Sequence, residues 1–223
     1  MYGSLEKFPL RQVKFVRTRN SVLKSTMELL EDKELDDISV DKICQKSHIS
    51  RGTFFNYFPQ KSYIFYYYIR IFTIKLMIRI ENWDDDMPFK EQMQCIYKWF
   101  NEENKYPNFS KLYIYYLLED GPKNNDMKLS EAEFIYFFSG IEDEEEFKYY
   151  NNLSMIDIFK DLCAEAKLKG EISGDIDQGD MARIFLGFLL LPTVMESLLD
   201  AGDNPKELFH IIMGEELKVK GMV

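Results

Sequence analysis

Residues 39–58 read SVDKICQKSHISRGTFFNYF, and this stretch decides the fold. Ser39 and Ser50 each stand where a hydroxyl can cap the first turn of a helix. The spacing predicts two short helices, one beginning after Ser39 and one running from Ser50 to about Tyr57, with a tight linker at 47–49 between them. Two short helices joined in this way, with a supporting helix before them, form a helix-turn-helix. Its second helix enters a DNA major groove about 12 Å wide.

The second short helix has an apolar and a polar face. Phe54 and Phe58 are four residues apart, so they share a face and are predicted to point inward, locking the helix to the rest of the head. Polar outer faces occur in any helical hairpin, so this periodicity alone does not separate DNA binding from ordinary packing. The residues predicted to point outward, free for DNA, are Arg51, Thr53, Asn56 and Tyr57.

Helical periodicity continues along the chain without sustained strand alternation, which predicts an all-α protein of about nine or ten helices. A first helix is predicted near 17–32, and a long fourth helix over 60–82 follows Pro59. Segments 121–126 and 140–146 are predicted loops, and Gly170 is a predicted helix terminator. Further helices are predicted near 89–100, 109–117, 134–138, 147–169 and 178–200, with a short last one after Pro205.

The charge of the chain is distributed unevenly. The formal net charge of −10 over 223 residues argues against a nucleic-acid binder. Residues 1–80, however, hold 14 Lys and Arg against 8 Asp and Glu, whereas residues 81–223 hold 14 against 30. The basic first part is therefore suited to a polyanion, and the acidic second part either avoids polyanions or serves solubility.

Several other classes of protein find little support. The longest apolar stretch, 184–192, is much shorter than the roughly 20 residues of a membrane span, so no membrane partner is expected. The three cysteines are odd in number and widely spaced, and no secretory signal pattern begins the chain, which predicts a reduced cytoplasmic protein. The two histidines lie far apart, and no catalytic motif is found. No metal, cofactor or enzymatic activity is expected.

Residues 49–58, ISRGTFFNYF, followed by Lys61 at the head of a long helix, resemble the signature of the TetR family of transcriptional regulators. The resemblance extends over residues 17–80. It implies a three-helix head over 1–60 with a basic leader, and a larger helical body over 61–223 that binds an effector and forms dimers. Helix 60–82 would link the two. It implies a homodimeric regulator, expected to be a repressor, that binds a palindromic operator and is released by a small molecule.

The resemblance also assigns roles to individual residues. Arg51, Gly52 and Asn56 match base-reading positions, and Arg51 is suited to a bidentate contact with a guanine edge. Ser39, Thr53, Tyr57 and Lys61 match positions that contact phosphate or the groove wall. The full predicted DNA-binding set is Ser39, Ser50, Arg51, Gly52, Thr53, Phe55, Asn56, Tyr57 and Lys61. The basic leader adds phosphate or minor-groove contacts, or is a solvated end; its cations are Lys7, Arg11, Lys14, Arg17 and Arg19.

Three residues depart from the family pattern. Phe55 replaces a tyrosine whose hydroxyl donates to phosphate, so that bond is either lost or taken over by Tyr57. His48 replaces the turn glycine, and histidine is among the residues that tolerate positive φ. Asp41 points from the first short helix toward the expected DNA, where it complements that helix's N-terminal dipole or accepts from a cytosine amino group.

The body carries two further predicted sets. Aromatic residues at helical spacing are candidates to line an effector cavity, although such residues are more often ordinary core. These candidates are Tyr97, Phe100, Tyr113, Tyr116, Phe134 and Phe137. The last two long helices are implied to form the dimer interface through Met155, Phe159, Leu162, Ile184, Phe185 and Phe188.

Two other hypotheses remain open. In one, the head binds DNA but the body docks a protein partner and takes no small-molecule effector. In the other, the chain is a helical enzyme, which predicts buried ionisable residues that converge in a pocket.

Overall fold

The computed structural model describes residues 4–33, 35–103, 127–139, 143–172, 175 and 177–198, without the side chains of 101, 103 and 190–198. Every regular element in this part of the chain is a helix, which confirms the all-α prediction. The helices are α1 Leu10–Leu29, α2 Val40–Ser47, α3 Arg51–Tyr57, α4 Ser62–Glu81, α5 Phe89–Glu103, α6 Glu131–Phe137, α7 Glu144–Asn152, α8 Met155–Leu168 and α9 Gln178–Leu198.

The chain divides into two compact units. The first comprises Met1–Trp83 and Lys105–Met155, and therefore holds α1–α4, α6 and α7. The second comprises Asp84–Asn104 and Ile156–Val223, and holds α5, α9 and nearly all of α8. The expected division into a head over 1–60 and a body over 61–223 stays a prediction.

The two short helices begin where the capping serines predicted. The Ser39 hydroxyl accepts from the Lys42 amide at 3.3 Å at the start of α2, and the Ser50 hydroxyl accepts from the Thr53 amide at 3.1 Å at the start of α3. Each bond satisfies an amide that the first helical turn leaves without a partner. The bounds of the helix-turn-helix thus follow from local sequence.

The turn between α2 and α3 depends on His48. Its backbone adopts a left-handed conformation, with φ 55° and ψ 43°, and it is the single non-glycine residue with positive φ in the described part of the chain. The Ile49 amide donates to the Cys44 carbonyl at 3.0 Å across this turn, so the C-terminus of α2 is closed by a Schellman-type motif.

Replacing His48 with glycine is expected to stabilise the protein by about 1 kcal/mol, because glycine adopts the left-handed region without the steric cost of a Cβ. Chemical denaturation measures the change. His48→Ala is the control: alanine keeps the Cβ and is expected to bring no gain. Equal stabilities for the glycine variant and wild type would show that the turn is not strained.

The core of the first unit surrounds the inner face of α3. Phe54 and Phe58 are both fully buried, as predicted, with Val22, Ile43 and Tyr67 in the same cluster. These residues come from α1, α2, α3 and α4, so the core fixes the helix-turn-helix against its supporting helices.

Three predicted ranges are wrong. The first helix begins at Leu10, not near residue 17, and its early turns pack Val13 and Val16 with Leu5 and Ala132. The predicted helix over 147–169 is two helices, and the predicted loop over 140–146 already contains the start of α7. Asp143 caps α7 by accepting from the Glu146 amide, and the chain is extended at Leu153 before α8 begins.

The second unit contains an apolar stripe along α5, within the helix predicted near 89–100. Phe89, Met93, Ile96, Tyr97 and Phe100 are all buried there. The Phe89 ring meets the Phe185 ring of α9 with centroids 5.1 Å apart, and its amide donates to the Glu171 carboxylate at 2.6 Å. Gly170 ends α8 with φ 73°, as predicted for a terminator. No described helix combines the length and the hydropathy that crossing a bilayer requires.

Candidate nucleic-acid interface

The outer face of α3 presents most of the predicted DNA-binding residues together. Arg51, Gly52, Phe55 and Asn56 are exposed, and Thr53 and Tyr57 are half-buried. The capping serines, Ser39 and Ser50, are exposed at the starts of α2 and α3. This arrangement is a short helix whose inner face is fixed in a core and whose outer face remains available to a ligand.

Arg51 is held by Asp41 of α2. Its Nη1 donates to both carboxylate oxygens, at 2.8 and 2.9 Å, and the two side chains are 60% and 64% exposed. The guanidinium carbon also lies 5.9 Å from the centre of the Phe55 ring. Within the described part of the chain, Nε and Nη2 of Arg51 make no hydrogen bond, so a planar pair of donors still faces outward.

Gly52 leaves room on the surface of α3. A Cβ added at this position would meet only the Ser50 hydroxyl oxygen, at 3.8 Å, which is ordinary van der Waals contact. Gly52 is the second residue of α3, and the space beside its Cα is open.

Tyr57 and Thr53 have contacts inside the head. The Tyr57 ring packs against the Phe15 ring of α1 with centroids 5.1 Å apart. The hydroxyl oxygens of Thr53 and Ser50 lie 2.9 Å apart. Both side chains are therefore oriented before any ligand arrives.

Lys61 lies just before α4 and contacts the loop between α1 and α2. Its ammonium donates to the carbonyls of Leu35 and Ile38, the latter at 3.1 Å. It thus stabilises the loop that leads into Ser39. A phosphate contact from Lys61 stays a prediction.

The basic leader needs one correction. Lys7, Arg11, Lys14 and Arg17 are exposed, the last three on the early turns of α1. Arg19 is only 4% exposed, so its assignment to a solvated or phosphate-binding leader is wrong.

Arg19 instead forms a buried ion pair that the sequence analysis missed. Its Nη1 donates to the Glu133 carboxylate of α6 at 2.9 Å, and the two side chains are 5% and 0% exposed. The guanidinium also lies over three rings, with centroid distances of 4.0 Å to Tyr67, 5.0 Å to Phe58 and 5.3 Å to Phe15. Arg19 therefore joins α6 to Phe58, the residue that ends α3.

A sequence signal for this pair exists. Arg19 lies three residues after Val16 and four before Leu23, so it falls on the apolar stripe of α1. A charge on such a stripe requires a buried partner. Glu133 fits a capping-box pattern with Ser130, so the sequence explains this residue without an ion pair to Arg19. Its pairing with Arg19 spans 114 positions and is a product of the tertiary fold.

The effector candidates fall into both units. Phe134 is 1% exposed in the first unit, where its ring meets those of Phe138, Phe147 and Tyr150 at 5.2 to 5.9 Å. Phe137 belongs to the same unit, and Tyr97 and Phe100 are buried in the second. Tyr113 and Tyr116, like the predicted helices near 109–117 and after Pro205, lie outside the described residues. The cavity assignment stays a prediction.

The dimer candidates differ in the surface that they offer. Met155, Phe159 and Leu162 on α8 are 1 to 6% exposed within a single chain. On α9, Ile184 is 47% exposed, and Phe185 and Phe188 are half-buried with their rings 6.2 Å apart. Among these candidates, the exposed surface is thus concentrated on α9.

Two buried thiols are poor nucleophiles. Burial raises the pKa of Cys44, and it raises the pKa of Cys163 to about 11, so both are protonated at neutral pH. Among the described side chains, no group of three or more histidine, cysteine, aspartate or glutamate residues is placed to hold a metal ion.

Residues 22–67, from α1 into α4, match the family model described as bacterial regulatory proteins, tetR family. No curated protein matches the chain. The predicted resemblance to the TetR family is confirmed for this segment.

Solved structures share the fold. Thermus thermophilus FadR, a TetR-family transcriptional repressor in complex with lauroyl-CoA, has a TM-score of 0.57 and 16% identity, over 92% of this chain and 97% of that chain. Bacillus subtilis FadR in complex with stearoyl-CoA has a TM-score of 0.54 and 17% identity, over 92% of this chain and 99% of that chain. Salmonella enterica GusR has a TM-score of 0.52 and 16% identity, over 89% of this chain and 94% of that chain. The chain therefore has a TetR-like fold, with a helix-turn-helix head and a helical body.

Proposed function

We propose that this chain, with its TetR-family head and TetR-like fold, is a sequence-specific transcriptional repressor that binds a palindromic operator as a homodimer. The observation that carries the proposal is the geometry of α3. Its inner face is fixed by two fully buried phenylalanines, and its outer face presents Arg51, Gly52 and Asn56 together.

Each exposed residue on α3 has a chemical role in this proposal. The free Nε and Nη2 of Arg51 match the O6 and N7 acceptors of guanine, and the Asn56 amide matches the edge of adenine. Gly52 lets the backbone approach the bases closely. Ser39, Ser50, Thr53, Tyr57 and Lys61 set the position of the head through phosphates, and Phe55 packs against the groove wall.

Removing the Arg51 side chain is expected to cost about 1–3 kcal/mol of operator binding and to relax specificity at one base pair. Fluorescence anisotropy on operator and random duplexes measures both effects. Lys90→Ala is the matched control, because it removes one exposed cation that does not belong to the predicted DNA-binding set. Equal losses for the two variants, or equal losses of Arg51→Ala on operator and random DNA, would contradict base reading by Arg51.

A homodimer is required because one short helix reads only half of a palindrome. Two copies of α3 must meet successive major grooves about 34 Å apart on one face of the duplex. We assign the contact between chains to the α9 surface around Ile184, Phe185 and Phe188, because this part of the predicted dimer interface is exposed or half-buried within one chain.

Introducing a charge on α9 is expected to separate the dimer. Ile184→Glu places a carboxylate in the proposed contact, where its desolvation opposes association, and sedimentation should then give monomer mass. Because Ile184 is 47% exposed within one chain, the fold should tolerate the change. Leu10→Glu is the control, since Leu10 is 68% exposed on α1. An unchanged dimer mass for Ile184→Glu would contradict the assignment.

The effector that we propose first is an acyl-CoA thioester. The support is that two structures sharing this fold hold lauroyl-CoA and stearoyl-CoA. Thermal shift with acyl-CoAs of increasing chain length, and release of operator DNA by any that bind, tests this. Operator binding without stabilisation by any of them would favour the alternative in which the body docks a protein partner.

A further inference from the structure

Asp41 places a negative charge beside the face of α3 that the proposed function directs toward DNA. Its carboxylate is 64% exposed, and both of its oxygens accept from the same nitrogen, Nη1 of Arg51. A surface ion pair of this kind contributes little to stability. Apart from its favourable place in the first turn of α2, Asp41 thus adds little to the fold, and its contact with Arg51 can serve DNA recognition.

The geometry divides the guanidinium of Arg51 into two parts. Nη1 is engaged by Asp41, whereas Nε and Nη2 make no hydrogen bond in the described part of the chain. A guanine edge is read by two parallel donors of a planar guanidinium, and these two nitrogens supply such a pair. The carboxylate fixes the plane before DNA arrives, so less side-chain freedom is lost on binding.

The same carboxylate opposes binding that is not base-specific. Random DNA is held chiefly by cations on phosphates, and the pair formed by Asp41 and Arg51 offers no net charge for that purpose. Only a correctly placed guanine gives the outer donors a bidentate partner. Specificity then comes both from the Asp41 carboxylate, which weakens binding to phosphates, and from the contact between Arg51 and guanine.

We propose that Asp41 is a specificity-determining residue that positions Arg51 for guanine and lowers affinity for all other DNA. This inference rests on the proposed function, because it requires α3 to read base edges. It makes Asp41 a positioning residue, acting through Arg51 and needing no base contact of its own.

The test compares Asp41→Asn with wild type on the selected operator, on the operator with the guanine exchanged, and on random duplexes over a range of salt concentrations. Asp41→Asn keeps the size of the side chain and removes its charge. We expect tighter binding to random DNA, a salt slope steeper by about one phosphate contact, and a fall of about tenfold in the operator-to-random affinity ratio, the scale of one weakened bidentate contact. The melting temperature should change little, because the charge contributes to the fold only through the N-terminal dipole of α2 and an exposed ion pair.

Two controls separate positioning from a general charge effect. Asp37→Asn removes an exposed carboxylate from the loop before α2 and should leave the affinity ratio unchanged. In an Arg51→Ala background, Asp41→Asn should no longer alter guanine discrimination, because the residue to be positioned is absent.

Three results would each overturn the inference while leaving the proposed function intact. The first two are an unchanged operator-to-random affinity ratio in Asp41→Asn and an equal fall of that ratio in Asp37→Asn. The third is a full effect of Asp41→Asn on guanine discrimination in the Arg51→Ala background. Wild-type protein that prefers no DNA sequence at all would overturn the proposed function, and the inference with it.

Discussion

Glu133→Ala is expected to lower the free energy of unfolding by about 3–5 kcal/mol, because it leaves a buried arginine without its counter-ion. One carboxylate oxygen of Glu133 accepts from Arg19 at 2.9 Å. The other accepts from the Ser130 amide and hydroxyl at 2.9 and 2.8 Å. The variant therefore loses the ion pair together with the Glu133 side-chain half of the capping box, while the Ser130 hydroxyl still accepts from the amide of residue 133. The rings around Arg19 cannot replace a full negative charge.

Urea denaturation of the full chain measures this change. The matched control is Glu131→Ala, two residues earlier on α6, where the carboxylate is exposed and the expected change is about 0.5 kcal/mol or less. A Glu133→Ala variant as stable as Glu131→Ala would show that Arg19 finds adequate compensation elsewhere, and the link from α6 to α3 would be lost.

Phe54→Ala is expected to cost about 3–5 kcal/mol, since the ring is fully buried at the centre of the head and its removal leaves a cavity. The ring contacts those of Phe55 and Phe58, with centroids 5.2 and 6.0 Å apart. Because Phe54 also packs in one cluster with Val22, Ile43 and Tyr67 of the other helices, it fixes the rotation of α3 about its axis, and the variant should also lose selective DNA binding.

Phe55→Ala is the matched comparison, with the same residue type at the next position. Phe55 is 45% exposed, so its loss should cost about 1 kcal/mol or less while altering DNA affinity. Chemical denaturation of both variants measures the difference. Equal destabilisation would mean that α3 is rotated from the orientation described, and that Arg51 and Asn56 do not share an outward face.

The helix-turn-helix was predictable because its determinants are local. Each determinant acts within one or two helical turns. They are a hydroxyl three residues before the amide that it caps, two phenylalanines four residues apart, and a histidine that tolerates positive φ. Each signal is contained in residues 39–58. The bounds of α2 and α3 and the burial of Phe54 and Phe58 followed from them.

Contacts between distant residues were not predictable in this way. The local sequence places Arg19 in a basic run. Its buried position depends on the ion pair with Glu133, which lies 114 positions later. The early start of α1 likewise depends on Ala132 of α6. The contacts of the Lys61 ammonium with the carbonyls of Leu35 and Ile38 likewise join residues more than 20 positions apart.

The effector-binding residues could not be predicted from the aromatic periodicity of the body, for a different reason. A ring at helical spacing packs equally well into a core or along a cavity, so the pattern does not separate the two. Phe134 illustrates this, because its neighbours in the first unit are other rings of the same core cluster. Effector contacts depend on the shape of a cavity, which a periodic pattern does not contain.

Selection of bound fragments from the genome that encodes this chain, run in parallel with wild type and Arg51→Ala, tests most directly whether α3 reads DNA. Wild type should enrich fragments that share an inverted repeat, with half-site centres about 34 Å apart or a multiple of that distance. Arg51→Ala should lose preference at one base pair in each half-site. Wild-type fragments without a shared sequence, or an identical set from both proteins, would contradict the account.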